Sequence, residues 1–196
     1  MFDNLTKTNA AAPNQKDIGQ VVADVTRHWS SLRAANQVPN RNQIDVSVIS
    51  HALPFVFLAE LVTPRVAKLR ICGQHIEDLL GLDMRGMPLT ALFQGKAREE
   101  IAEALEQVTR GARVALSLEG ETGFGMPKLT AVLALLPLTD AGSQITRVLG
   151  VLEYAGDKGR TPRRFTLAQP IEATTWVAPH KRAVRPFLRV LQGGKT

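Results

Sequence analysis

From Leu129 to Leu138 the chain is apolar at nearly every position. The run is too short to cross a bilayer, which takes roughly 20 residues in a helix. Strands with a cover on both faces have this composition, whereas a strand with one wet face alternates. Lys128–Leu138 is therefore expected to be a strand buried on both sides, and the rest of the chain must supply the two covers.

The flanking segments read as further elements. Phe55–Val62 is rich in aromatic and branched residues and reads as a strand, turned by Thr63-Pro64. Arg65–Cys72 reads as a second strand, with Val66, Lys68 and Arg70 on one face and Ala67, Leu69 and Ile71 on the apolar other. Gln74–Leu80 is a short helix stopped by Gly81, and Lys96–Arg110 is a longer one. The longer helix turns Ile101, Leu105 and Val108 inward, and Gly111 stands where a C-cap glycine is expected. Arg113–Glu119 and Ile145–Tyr154 complete the strands. The order is β-β-α-α-β-β-β. Sequential strands joined by short turns favour an antiparallel sheet with helices gathered on one face, which is α+β.

A helix precedes this unit. Ile18, Val22, Val25, Trp29 and Leu32 recur at helical spacing, with polar residues on the other side. The organisation expected is a disordered segment 1–14, an amphipathic helix 15–37, a domain 44–156 and a tail 157–196. The tail is set apart by charge. From residue 158 onward there are nine Lys/Arg and one acid, against 24 and 18 in the whole chain, so the basic pI describes the tail and not the body. The N-terminus has no apolar stretch of the kind a secretory signal needs, and a cytoplasmic protein is expected.

Several segments resemble a bacterial family of stand-alone PAS proteins that carry no attached effector domain. They are His28–Arg33 with Val38–Arg41, Leu53–Leu61, Leu69-Arg-Ile-Cys-Gly73 leading into Ile76–Gly81, Met84–Phe93, and Arg185–Gly194. The resemblance implies a PAS-like five-stranded antiparallel sheet with helices on one face, preceded by the amphipathic N-terminal helix. PAS domains as a class bind haem, flavin, small acids or nothing, so the fold does not choose a ligand.

The residues give no catalytic constellation. The lone Cys72 lacks the helix motif of a flavin photosensor. Its i, i+3 spacing to His75 reads as a strand residue beside a solvent-facing histidine. Glu99, Glu103 and Glu106 share a solvated helix edge, with Glu106 placed to pair with Arg110. Gly120–Gly125 lacks the lysine and the strand-loop-helix setting of a phosphate cradle. No enzyme, no metal site and no evident cofactor are expected. If a small molecule of unidentified kind binds, the candidate lining is Leu69, Arg70, Ile71, Ile76, Leu80, Leu116, Leu133, Leu135 and Val151.

Two features point outward. The stripe Val22, Val25, Trp29 and Leu32 suits either packing on the sheet or a seam between two copies, so a homodimer is expected. The tail offers Arg163, Arg164, Lys181, Arg182, Arg185 and Arg189 to an acidic partner, to this chain's own body, to an anionic membrane surface or to nucleic acid. The leading expectation is a non-enzymatic sensory module that binds a small ligand or protein partner and signals by contact. The alternative is a nucleic-acid-associated regulator that uses the basic tail.

Overall fold

The computed structural model describes residues 18–33 and 37–169. Its elements in chain order are α1 (Gln20–Ser31), β1 (Val56–Thr63), β2 (Val66–Cys72), α2 (Gln74–Leu80), α3 (Ala97–Thr109), β3 (Val114–Gly120), β4 (Thr130–Thr139), β5 (Ile145–Ala155) and β6 (Phe165–Leu167). Short 3₁₀ turns at Arg41–Gln43, Ser50–Phe55 and Leu89–Leu92 link them. The strands form one antiparallel sheet in the order β2-β1-β5-β4-β3-β6. The expected five strands are all present, and β6 adds a short sixth at the edge of β3. Gly81 and Gly111 close α2 and α3 with φ of 71° and 92°, the left-handed region where glycine meets no penalty.

The apolar run becomes β4, between β5 and β3. Its side chains alternate between two separate cores. On the inner face Ala131, Leu133 and Leu135 join Phe57, Leu69, Phe93, Ile101, Leu116 and others under α2 and α3. On the outer face Ala134, Leu136 and Leu138 join Val56, Leu149 and Val151 under α1. The sheet is thus the middle layer of three, with α1 on its outer side together with Ile49 and Ala52 from the segment that leads into β1.

The strand β2 departs from strict alternation. Its register with β1 steps from Leu58–Ile71 to Ala59–Leu69, leaving Arg70 without an opposite number. One extra residue moves everything beyond it to the other face. Leu69 stays buried, Ile71 turns out to 57% exposure, and Cys72 packs against the inner core. No helix among the described residues is long and apolar enough to cross a membrane.

Candidate functional site

The inner face is where the sequence placed a ligand lining. Leu69, Ile76, Leu80, Leu116, Leu133 and Leu135 do converge there. They pack on one another and on Phe57, Met84, Leu92 and Phe93, which are also buried. The other three expected lining residues lie elsewhere. Val151 sits in the outer core under α1, because Gly150 and Leu152, not Val151, face inward on β5. Ile71 is turned out by the bulge. Arg70 is exposed and donates from Nε to Glu60 Oε2 at 2.6 Å, while Arg147 reaches Glu60 Oε1 at 2.8 Å. Hydrogen bonds from Arg147 and Arg70 hold the Glu60 carboxyl below its usual pKa. Inside the inner core, Gly150 stands opposite Phe57 in the β1–β5 register, and a Cβ there would be built into the Phe57 ring.

The outer face is covered by α1. Val22, Val25 and Trp29 of the expected stripe are buried against the chain's own sheet, and Leu32 is half-buried. The Trp29 ring is 1% exposed. Burying an indole removes about 150–250 Å² from water, on the order of 4–6 kcal/mol at about 25 cal/mol/Å². Its Nε1–H donates to the Pro137 carbonyl of β4 at 2.9 Å, and the Arg33 guanidinium lies 5.1 Å from the ring centre. These contacts occupy the stripe that a helix-to-helix seam would need.

The other end of α1 has a distant cap. Gly19 precedes the helix and offers no side chain to its orphan N–H groups. Instead the Glu153 carboxylate of β5 accepts from Val21 N at 3.0 Å and Val22 N at 3.3 Å. Glu153 is only 4% exposed. A carboxylate at the positive end of a helix dipole, in partial shelter, is a favourable placement. Sequence reasoning missed this residue. The available signal was a lone acid in a strand otherwise apolar from Val148 to Leu152.

Beside β2 and α2 lies an open cleft of about 720 Å³ whose lining includes Ile71, Cys72, Glu77, Leu82, Asp83 and Arg85. Arg85 clamps Asp83, Nη2 to Oδ2 at 2.5 Å, and its hydrogen bonds pull the Asp83 carboxyl down to about 2. Burial, with Glu77 and Asp83 adding repulsion, pushes the Cys72 thiol up to about 12, so it is not a thiolate nucleophile near neutral pH. His75 is exposed and its ring lies against that of Phe55, centres 4.3 Å apart and planes tilted by 48°.

The expected boundary at 157 falls inside the fold. Arg163 was placed among tail contacts, but it is wholly buried. It donates to the Pro127 carbonyl at 2.7 Å and to the Lys158 carbonyl, and its backbone N–H reaches Leu79 O at 2.6 Å. Arg164 is half-buried, and its carbonyl accepts from Glu121 N. Phe165 fills the inner core and β6 pairs with β3. The described residues carry 17 Lys/Arg and 15 Asp/Glu, so the folded unit is close to neutral rather than acidic. Lys181, Arg182, Arg185 and Arg189, and the segment 1–14, lie outside the described residues.

The family model of a PAS domain matches residues 20–153. The chain belongs to the PAS domain family. The match begins at the first residue of α1, so the PAS unit includes the helix on the outer face. No curated protein matches. Solved structures similar to this PAS domain include a light-oxygen-voltage domain studied with a flavin analogue, at 20% identity and a TM-score of 0.42 over 57% of this chain and 84% of that one. The dark structure of the blue-light photoreceptor Aureochrome1 LOV matches at 17% identity and a TM-score of 0.42, over 57% and 83%. An RNA-binding light-oxygen-voltage receptor matches at 15% identity and a TM-score of 0.41, over 62% of this chain and 36% of its own.

Proposed function

We propose that this PAS domain is a non-enzymatic sensory and interaction module that signals by contact with a protein partner, with α1 as the moving part. The observation that carries the reading is the split core. α1 closes an apolar cluster of its own on the outer face, held at one end by Glu153 and at the other by Trp29. Lifting it would uncover Leu136, Leu149 and Val151 without opening the inner core. A partner that binds better to the uncovered sheet than to the covered one shifts that equilibrium by its difference in affinity.

A protein partner is favoured over a small ligand because the expected lining residues of the inner face are buried against one another and against Phe57, Met84, Leu92 and Phe93. Homodimerisation, if it contributes, uses the uncovered outer surface of β1 and β2, where Val62, Val66 and Ile71 are exposed. Burial of Arg163 takes one cation out of the set available to nucleic acid.

Native mass spectrometry of the purified full chain tests the reading. The expected spectrum shows polypeptide masses, monomer or dimer, with no small molecule attached. A stoichiometric organic adduct would transfer the sensory role to the inner face and overturn the choice of a protein partner.

A further inference from the structure

We propose that two copies of this chain pair by exchanging aromatic rings, with Phe124 of each entering the slot between α1 and β3 of the other. The proposal stands apart from the signalling reading above, and it uses the edge of the sheet opposite to β1 and β2.

Phe124 has no place in its own chain. It is 93% exposed, whereas the next most exposed large apolar side chain among the described residues, Ile71, is at 57%. The turn that carries the ring is fixed. Gly123 and Met126 exchange backbone hydrogen bonds at 3.2 and 3.0 Å, and Arg160 N donates to Gly125 O at 2.6 Å. Gly123 and Gly125 flank the ring without side chains, so it stands clear, and Gly125 takes the φ of 71° that the turn requires. An aromatic group already held in position loses little freedom on binding and suits an anchor.

The slot has the size and lining for that ring. Its volume is about 160 Å³, and Val22 and Thr26 of α1, Ala115 of β3, and Ala134 and Leu136 of β4 make a mostly apolar wall. An engineered aliphatic cavity of about 150 Å³ in another protein holds benzene, the ring of a phenylalanine side chain. The ring is out of reach of its own slot. Ala115 stands near the start of β3 and Phe124 beyond its end, and the strand from Ala115 to Gly120 alone measures roughly 17 Å. The ring that fills the slot therefore comes from another copy.

The layout lets such a pair close. With ring and slot at opposite ends of β3, two copies lying antiparallel each give one and receive one. Small side chains, Ala115 and Ser117, are the exposed positions of β3 nearest the slot, so a neighbour can approach. Charge agrees with this placement. Arg113 also lines the slot, Glu121 lies in the loop that bears Phe124, and neither forms a salt bridge among the described residues.

Sedimentation velocity of the full chain over a range of concentrations tests the pair. The unaltered chain is expected to pass from monomer to dimer as concentration rises. Phe124→Ser, at a position almost wholly in solvent, is expected to weaken dimerisation by about tenfold or more. Ala115→Glu puts a carboxylate in the slot from an exposed strand position and is expected to do the same. Should it fail to fold by circular dichroism, Thr26→Glu on the α1 wall takes its place. An equimolar mixture of the ring and slot variants keeps one intact ring and one open slot. It is expected to form a mixed dimer more readily than either variant dimerises alone. A chain that stays monomeric, dimerisation untouched by Phe124→Ser, or a mixture no better than its components would each overturn the proposal. Dimerisation lost instead with Val66→Lys would place the contact on β1 and β2 and overturn it too.

Discussion

Gly150 and Phe57 set the tolerance of the inner core at the scale of single atoms. The ring lies over the glycine so closely that even one methyl group has no room. Overpacking a filled core by one carbon costs about 1–3 kcal/mol. Gly150→Ala is expected to lower the unfolding free energy by that amount, read as a lower urea midpoint at an unchanged m-value, and Phe57→Leu in the same chain to recover part of it. Cys72 gives a second residue-scale test. Its folded value near 12 lies above the unfolded value of about 8.5. Its contribution to stability is present below the unfolded value and is lost as pH rises from there toward about 12. A thiol reagent at pH 8 is accordingly expected to label the native protein far more slowly than the urea-unfolded chain.

At the scale of elements, strand and helix types were legible because each carries a strong local period. The continuous apolar run could only be a doubly covered strand, and it became β4. Ile71 was misplaced because a bulge is a long-range matter. Nothing within Leu69-Arg70-Ile71 states that Arg70 will lack an opposite residue in the register with β1. The cap on α1 was illegible for the same reason, since Glu153 is more than 130 residues from the amides it meets. Glu153→Ala leaves those amides without their acceptor and removes a charge from the helix start. It is expected to cost about 1–2 kcal/mol, read as a lower thermal midpoint.

For the whole molecule, the boundary between domain and tail was read from charge, and charge is a poor guide where cations are buried. Lys158, Arg160, Arg163 and Arg164 belong to the folded unit because Arg163 finds backbone carbonyls inside it and Phe165 enters the core. A chain ending at Asp157 loses both of those residues and β6. It is expected to be poorly folded by circular dichroism, while one ending at Gln169 keeps a cooperative transition. The candidate site was legible only in part. Six of nine lining residues share the inner face, but a list of apolar positions does not reveal whether the space between them is filled.

The independence of α1 is the claim on which the functional reading rests, and native-state hydrogen exchange measures it most directly. Two cores separated by a sheet allow one layer to open while the other stays closed. Amides of α1 from Ala23 to Ser31 are expected to exchange through an opening of lower free energy than the paired amides of β4 and β5, and Glu153→Ala to lower it further while leaving β4 unchanged. Exchange of α1 and β4 at one common free energy, equal to that of global unfolding, would contradict a moving α1.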